Sequence, residues 1–194
     1  MRVLVGTSGY SYKPWQGPFY PKTLPAARFL SFYASALATV EINNTFYRMP
    51  TPDLLERWAR DVPEGFLFAL KAPQRITHIA KLKDAGEALA TFAHAANALG
   101  SHLGPLLFQL PPNLRKDVPR LTAFLEKARL LKPAGQRFAF EFRHPSWFDD
   151  DVMTELRAHG AALCLAESDT LETPLIATAD WGYVRLRRDA YPKA

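Results

Sequence analysis

Seven apolar segments of strand length alternate along the chain with segments of helical periodicity, and this alternation predicts an α/β fold built on parallel strands. A second observation narrows the class. At the ends of six of these segments a polar residue falls on one parity: Glu41, Lys71, Gln109, Glu141, Glu167 and Arg185. An open doubly wound sheet is covered by helices on both faces, so both parities stay apolar nearly to the strand end. A closed barrel has one interior, and its C-terminal mouth collects such side chains. Third, no glycine-rich phosphate fingerprint follows the first strand, because Gly6-Thr-Ser-Gly9 is too short for one. The predicted class is a TIM (β/α) barrel.

Barrels of this kind typically need about 250 residues and seldom as few as about 200. With 194 residues and no recognisable eighth unit, the sequence predicts one domain, residues 1–194, truncated after the seventh strand. Strands 1 and 7 would then carry open edges, through which copies of the chain would associate.

The first strand is predicted over Arg2–Thr7. The aromatic and proline-rich stretch Tyr10–Pro21 follows as a stiff, packed loop. Leu30, Tyr33 and Leu37 recur at helical spacing and place a helix over Ala26–Ala36. Thr39–Asn43 is the second strand, and Thr51-Pro52 opens a helix to Arg60 with threonine as its cap. Phe66–Leu70 with Lys71 is the third strand, followed by a loop over Ala72–Ile79. Asp84 and Glu87 are placed as a capping box for a helix that stops at Gly100. Leu106–Leu110 is the fourth strand, with a helix over Pro119–Leu131 behind it. In Arg137–Trp147, Phe138, Phe140 and Phe142 share one parity while Ala139, Glu141 and Arg143 share the other, as a fifth strand requires. A helix over Asp149–His159, a strand over Ala162–Ala166 with Glu167 at its exit, a polar connection over Ser168–Asp180 and a strand over Gly182–Leu186 complete the chain.

Composition bounds the function. An apolar content of 48% fills an ordinary core, and a net charge of +5 permits an anionic partner without demanding one. No apolar run reaches the roughly 18 residues of a membrane span, and the N-terminus has no signal-peptide pattern, so a cytoplasmic location is expected. The single cysteine, Cys164, excludes an internal disulfide and reads as a small buried side chain.

The strand ends carry the chemistry. Glu41, Glu141 and Glu167 supply carboxylates, and Lys71, Arg143 and Arg185 supply cations. Asn43 and Gln109 add neutral hydrogen-bonding groups, with His78 and His144 in the loops above. Glu141 is the first choice as general acid or base, tuned by Arg143 and His144. Lys71 suits stabilisation of developing negative charge or imine formation. Glu41 and His144 complete the catalytic set. Arg143 and Arg185 suit a phosphate or carboxylate. Tyr10, Trp15, Phe46, Tyr47 and Trp147 offer rings to a sugar or base, or else simply pack their loops. The alternative is that the six charges satisfy one another as an ion network across a barrel mouth.

No cofactor is expected. A divalent metal is disfavoured because His94, His102 and His159 fall on or beside helices, leaving only His78 and His144 near the strand ends. The resulting reading is a hydrolase- or lyase-like enzyme acting on a small anionic or sugar-containing substrate. The alternative is a nucleic-acid-binding protein using Arg115, Lys116, Arg120, Lys127, Arg129, Lys132 and Arg137, a patch diluted by Asp117 and Glu126.

The strand-end motifs also resemble those of a known family. Gly6–Tyr10, Val40–Arg48, Phe68–Pro73 with Ile76-Thr-His78, Gln109–Pro112 and Glu141–Trp147 look like the signatures of the YecE-like family, domain of unknown function 72 (DUF72). The resemblance runs from the first strand through Tyr183–Leu186. It implies a TIM-barrel fold whose members continue through a further helix and a final strand, so a site residue on that last strand would be missing here. The family's name implies no activity.

Overall fold

The computed structural model describes residues 2–131, 136–167 and 171–187. Backbone contacts divide the chain into two compact units, Met1–Pro73 with Thr91–Pro105, and Gln74–Ala90 with Leu106–Ala194. The fold class is α/β: parallel strands alternate with helices in the (β/α) succession of a TIM barrel through a seventh strand.

The first unit holds β1 (Gly6–Ser8), β2 (Thr39–Ile42) and β3 (Leu67–Lys71), paired side by side and parallel. The strand expected over 2–7 is shortened and shifted. Only Gly6, Thr7 and Ser8 find partners, opposite Thr39, Val40 and Glu41, while Val3 and Val5 remain exposed. Glycine is required at residue 6 because a Cβ there would lie 2.0 Å from the Thr39 carbonyl oxygen.

The loop after β1 is packed, as its aromatic content predicts. Tyr20 is fully buried and stacks on Phe29 with ring centroids 4.2 Å apart. Helix α1 (Phe29–Ala36) is preceded by a 3₁₀ turn over Ala26–Arg28. It buries Leu30 and Tyr33, and the Tyr33 hydroxyl donates to the Thr39 carbonyl at the start of β2. A short helix α2 (Asn44–Tyr47) follows β2, and α3 (Pro52–Arg60) begins with Pro52 in its first turn. Thr51 occupies the N-cap position of α3, but its hydroxyl makes no capping bond.

Two expectations for 72–87 give way. The predicted loop contains a π-helical turn over Arg75–Ile79, closed by the Ala80 N–H donating to the Arg75 carbonyl, and a turn follows with Lys81 and Leu82 at positive φ. Helix α4 (Gly86–Ala96) starts two residues beyond Asp84. Asp84 has φ of 50°, so it belongs to the turn and does not cap the helix. Gly100, also at positive φ, interrupts the following 3₁₀ segment Asn97–His102 near where the sequence places the stop.

In the second unit β4 (Leu103–Gln109, whose first residues belong to the first unit), β5 (Phe138–Glu141), β6 (Ala162–Glu167) and β7 (Tyr183–Leu186) pair in order, all parallel. Helices α5 (Val118–Leu131) and α6 (Asp150–Ala158) lie between them in sequence. The two faces of β5 differ as the alternation of Arg137–Trp147 demands. Phe138 and Phe140 pack against Phe108 of β4 at 5.4 and 5.2 Å, and Phe124 of α5 covers Phe108 at 5.2 Å. On the opposite face Leu107, Ala139 and Cys164 form a buried layer, with Ala166, Trp181 and Tyr183 against it. Cys164 is thus a small core side chain.

The connection from β6 to β7 is held by side-chain hydroxyls. Thr178 Oγ accepts from the Leu163 N–H and donates to the Ala161 carbonyl, both at 2.7 Å. Thr173 Oγ accepts from the Ala166 N–H. Residues 168–170 of the predicted connection lie outside the described residues.

Candidate functional site

Glu141 ends β5 and is 2% exposed. Register places Gln109 of β4 beside it, and Gln109 Nε2 donates to Glu141 Oε1 at 2.7 Å. Arg143 follows two residues later, and its Nε donates to the same oxygen at 3.1 Å. Arg185 of β7 donates from a terminal nitrogen to Glu141 Oε2. Three donors from separate positions therefore converge on one buried carboxylate.

The small residues of β6 make this geometry possible. Ala139 pairs with Ala162, so Glu141 stands level with Cys164, while Ala166 pairs with Arg185. A guanidinium on β7 must cross one strand to reach β5, about 10 Å at the usual strand spacing. Ala166 leaves room for it.

Burial alone would push the Glu141 carboxyl up. The positive charges of Arg185 and Arg143, and the hydrogen bonds both make, outweigh that and hold it below its ordinary range. The arginines thus favour the ionised carboxylate, a form suited to a base or an electrostatic anchor.

Other residues of the second unit fall differently from expectation. His144 was expected to tune Glu141. Its Nδ1 instead accepts from the Ser146 N–H at 3.2 Å and lies 2.8 Å from Ser146 Oγ, so the ring caps the turn Pro145–Trp147. Ser146 N–H donating to Nδ1 puts the proton of the neutral ring on Nε2. Trp147 was expected to offer a ring to ligand. It is fully buried, stacked on Phe142 at 4.7 Å, with Nε1 donating to the Leu114 carbonyl, so it is a core residue. Glu167 leaves the predicted row: it pairs with Leu186, the neighbour of Arg185, and strand alternation turns it to the other face. His78 sits in the π-helical turn, its Nδ1 2.9 Å from Thr77 Oγ1.

In the first unit Glu41 is buried on β2 and accepts from Ser8 Oγ at 2.8 Å. Ser8 lies outside the predicted set because the sequence pattern ends strand 1 at Thr7, one residue before β1 ends. Its signal was the same as elsewhere, a polar residue at a strand end, level with Glu41 in the register. Lys71 ends β3 with its ammonium 4.2 Å from the Phe46 ring centroid, a cation–π contact. Its carbonyl accepts from Thr45 Oγ1 at 2.6 Å.

Asn43 is the N-cap residue of α2 and makes no side-chain cap bond there. Tyr47 is 75% exposed. Tyr10 is half-buried, and burial followed by the Asp61 charge raises its hydroxyl above the usual range. Trp15 packs against Tyr12, Phe19 and Tyr20, at 4.9, 5.8 and 6.2 Å, which is loop packing.

The basic patch is partly spent on local contacts. Lys116 bonds Asp149 at 2.5 Å and Asp151 at 3.1 Å, Arg120 pairs with Asp117, and Arg137 lies over the Trp181 ring. Arg115, Lys127 and Arg129 are exposed, and Lys132 lies outside the described residues. Among the described residues no group of three His, Cys, Asp or Glu side chains is arranged to hold a metal ion. No helix among them is long and apolar enough to cross a membrane.

Residues 4–193 match the family model described as protein of unknown function DUF72. The UPF0759 protein YecE of Escherichia coli, from strain K12 and from O157:H7, is 30% identical over 120 residues, which is 61% of this chain and 43% of the relative. The aligned part is therefore under half the length of those curated relatives. A DUF72 family protein from Thermotoga maritima has a solved structure that matches with a TM-score of 0.80 and 30% identity, over 94% of this chain and 73% of that one. A DUF72 family protein from Enterococcus faecalis matches with a TM-score of 0.72 over 94% of this chain and 72% of that one; its 21% identity speaks to the fold.

Proposed function

Because this chain belongs to the DUF72 family, whose description assigns no activity, we propose a function from the strand-end chemistry: a hydrolase- or lyase-like enzyme acting on a small anionic or sugar-containing substrate at the ends of β4, β5 and β7. The observation that carries the reading is the buried, charged Glu141, braced by Gln109, Arg143 and Arg185. Burying a charge costs several kcal/mol unless geometry and hydrogen bonds offset it. Stability alone gives little reason to keep such a cluster, since apolar replacements of similar volume are often as stable. In barrels of this class the C-terminal strand ends are where ligands are handled.

In this reading Glu141 acts as an ionised base or as a fixed negative charge opposite developing positive charge. Gln109 and Arg185 hold it in place, and Arg143, partly exposed, meets the substrate. The test is a turnover panel of phosphate esters, hydroxy acids and glycosides, run with the wild-type chain and with Glu141→Gln. The expected result is release of product from one class, reduced at least about 100-fold in the variant, as general-base removal does, while the circular dichroism spectrum is retained. Equal turnover in both proteins overturns the reading.

A further inference from the structure

We infer that Arg143, and not the buried Arg185, receives the anionic group of the substrate, taking an oxyanion between its two terminal nitrogens. The inference rests on the reading of the Glu141 cluster as a substrate site and specifies what that site recognises.

The two arginines around Glu141 are not equivalent. The Arg185 side chain is 4% exposed and lies against Glu141 Oε2, while the Arg143 side chain is 36% exposed. A guanidinium carries five N–H donors in a planar fork. Arg143 uses Nε–H on Glu141 Oε1. Its terminal nitrogens, four donors in all, meet no acceptor among the described residues. They form the edge of the group farthest from the backbone.

Glu141 cannot swing to follow them. One oxygen is held by Gln109 and Arg143 and the other by Arg185. The carboxylate therefore aims the guanidinium, and little side-chain freedom remains to be lost on binding. A carboxylate or phosphate matches the open edge with two parallel N–H···O bonds. The ligand anion then lies beyond the guanidinium from Glu141, so the cation stands between two negative groups. A neutral hydroxyl offers no such two-point match. The recognised class is thus a small molecule bearing a carboxylate or phosphate.

The test is calorimetric titration of the full chain, at low ionic strength, with inorganic phosphate and separately with acetate. It uses wild type, Arg143→Lys, Arg143→Ala and Glu141→Gln, each first shown to melt cooperatively. Saturable binding of at least one anion is expected, weakened about 10-fold or more by Arg143→Lys, which keeps the charge but loses the fork, and abolished by Arg143→Ala. Glu141→Gln, which unfixes the fork, weakens binding without abolishing it. Binding of phosphate alone assigns a phosphorylated ligand, and binding of acetate as well extends the class to carboxylates. Equal binding by wild type and Arg143→Ala, or no binding of either anion by wild type, overturns the inference. If neither anion binds while Glu141→Gln still abolishes turnover of an uncharged substrate, this inference fails and the enzyme reading stands. If the anion binds through Arg143 while Glu141→Gln turns over normally, the reverse holds.

Discussion

Arg185 on β7 bonds the Glu141 carboxylate on β5, so one ion pair joins two strands of the second unit that are separated by β6. Both partners are nearly inaccessible to water. Removing Arg185 leaves Glu141 Oε2 buried without its donor, with Gln109 and Arg143 remaining on Oε1. Arg185→Ala is therefore expected to cost about 3–5 kcal/mol of unfolding free energy, while the double change Glu141→Leu with Arg185→Met recovers most of that loss. Urea denaturation of the three proteins measures both numbers. A loss below about 1 kcal/mol for Arg185→Ala would show that the pair is solvated.

The same carboxylate sets an acid limit. Its folded-state pKa lies below its ordinary value of 4.5 because Arg185 and Arg143 favour the ionised form over the opposing effect of burial. A group depressed on folding contributes stability that is full above the unfolded value and is lost as pH falls through the folded one. The wild-type melting temperature is expected to fall below pH 4.5, and the Glu141→Gln variant should lose less over the same interval. Parallel pH profiles for the two proteins would refute the assignment.

Trp147 gives a prediction of the opposite kind. It is fully buried on Phe142, with its indole N–H satisfied by Leu114. Truncation to alanine should destabilise by about 3–5 kcal/mol, whereas Trp147→Phe should lose about 1–3 kcal/mol, chiefly because the buried Leu114 carbonyl is left without its donor. Neither effect should appear as altered ligand affinity in a folded sample.

Thr178 tests the connection before β7. Its hydroxyl serves two buried backbone groups, Leu163 N–H and Ala161 C=O. Thr178→Val keeps the shape and strips both bonds, for an expected loss of about 1–3 kcal/mol, and Thr178→Ser restores most of it. Thermal melts of the two variants decide this.

The parallel α/β class, the seven strands and the placement of Gln109, Glu141 and Arg185 on one face were legible because period-two alternation survives in short strands. Phe138, Ala139, Phe140 and Glu141 alternate cleanly, and the structure sorts them as written. Glu167 departs from its predicted face because the β6–β7 register, which aligns Arg185 with Ala166, is not written in either strand's own alternation. Asp84 fits a capping pattern in the sequence, but the turn after Arg75–Ile79, with Lys81, Leu82 and Asp84 at positive φ, has no local sequence signal. For Trp147 the sequence leaves both a ligand ring and loop packing open, because an aromatic above a strand end and one folded back onto Phe142 share one pattern. Ser8 stands one residue past the strand end that the apolar pattern marks.

Titration of the Glu141 side-chain carboxyl carbon by NMR, in wild type and in Arg185→Met, tests the central point most directly. A single carboxyl titrating below 4.5 in wild type, and shifting upward once the Arg185 charge is gone, is the predicted result. A carboxyl that titrates above that value in wild type, or that ignores the loss of Arg185, would contradict the picture of a charged anchor braced by arginine.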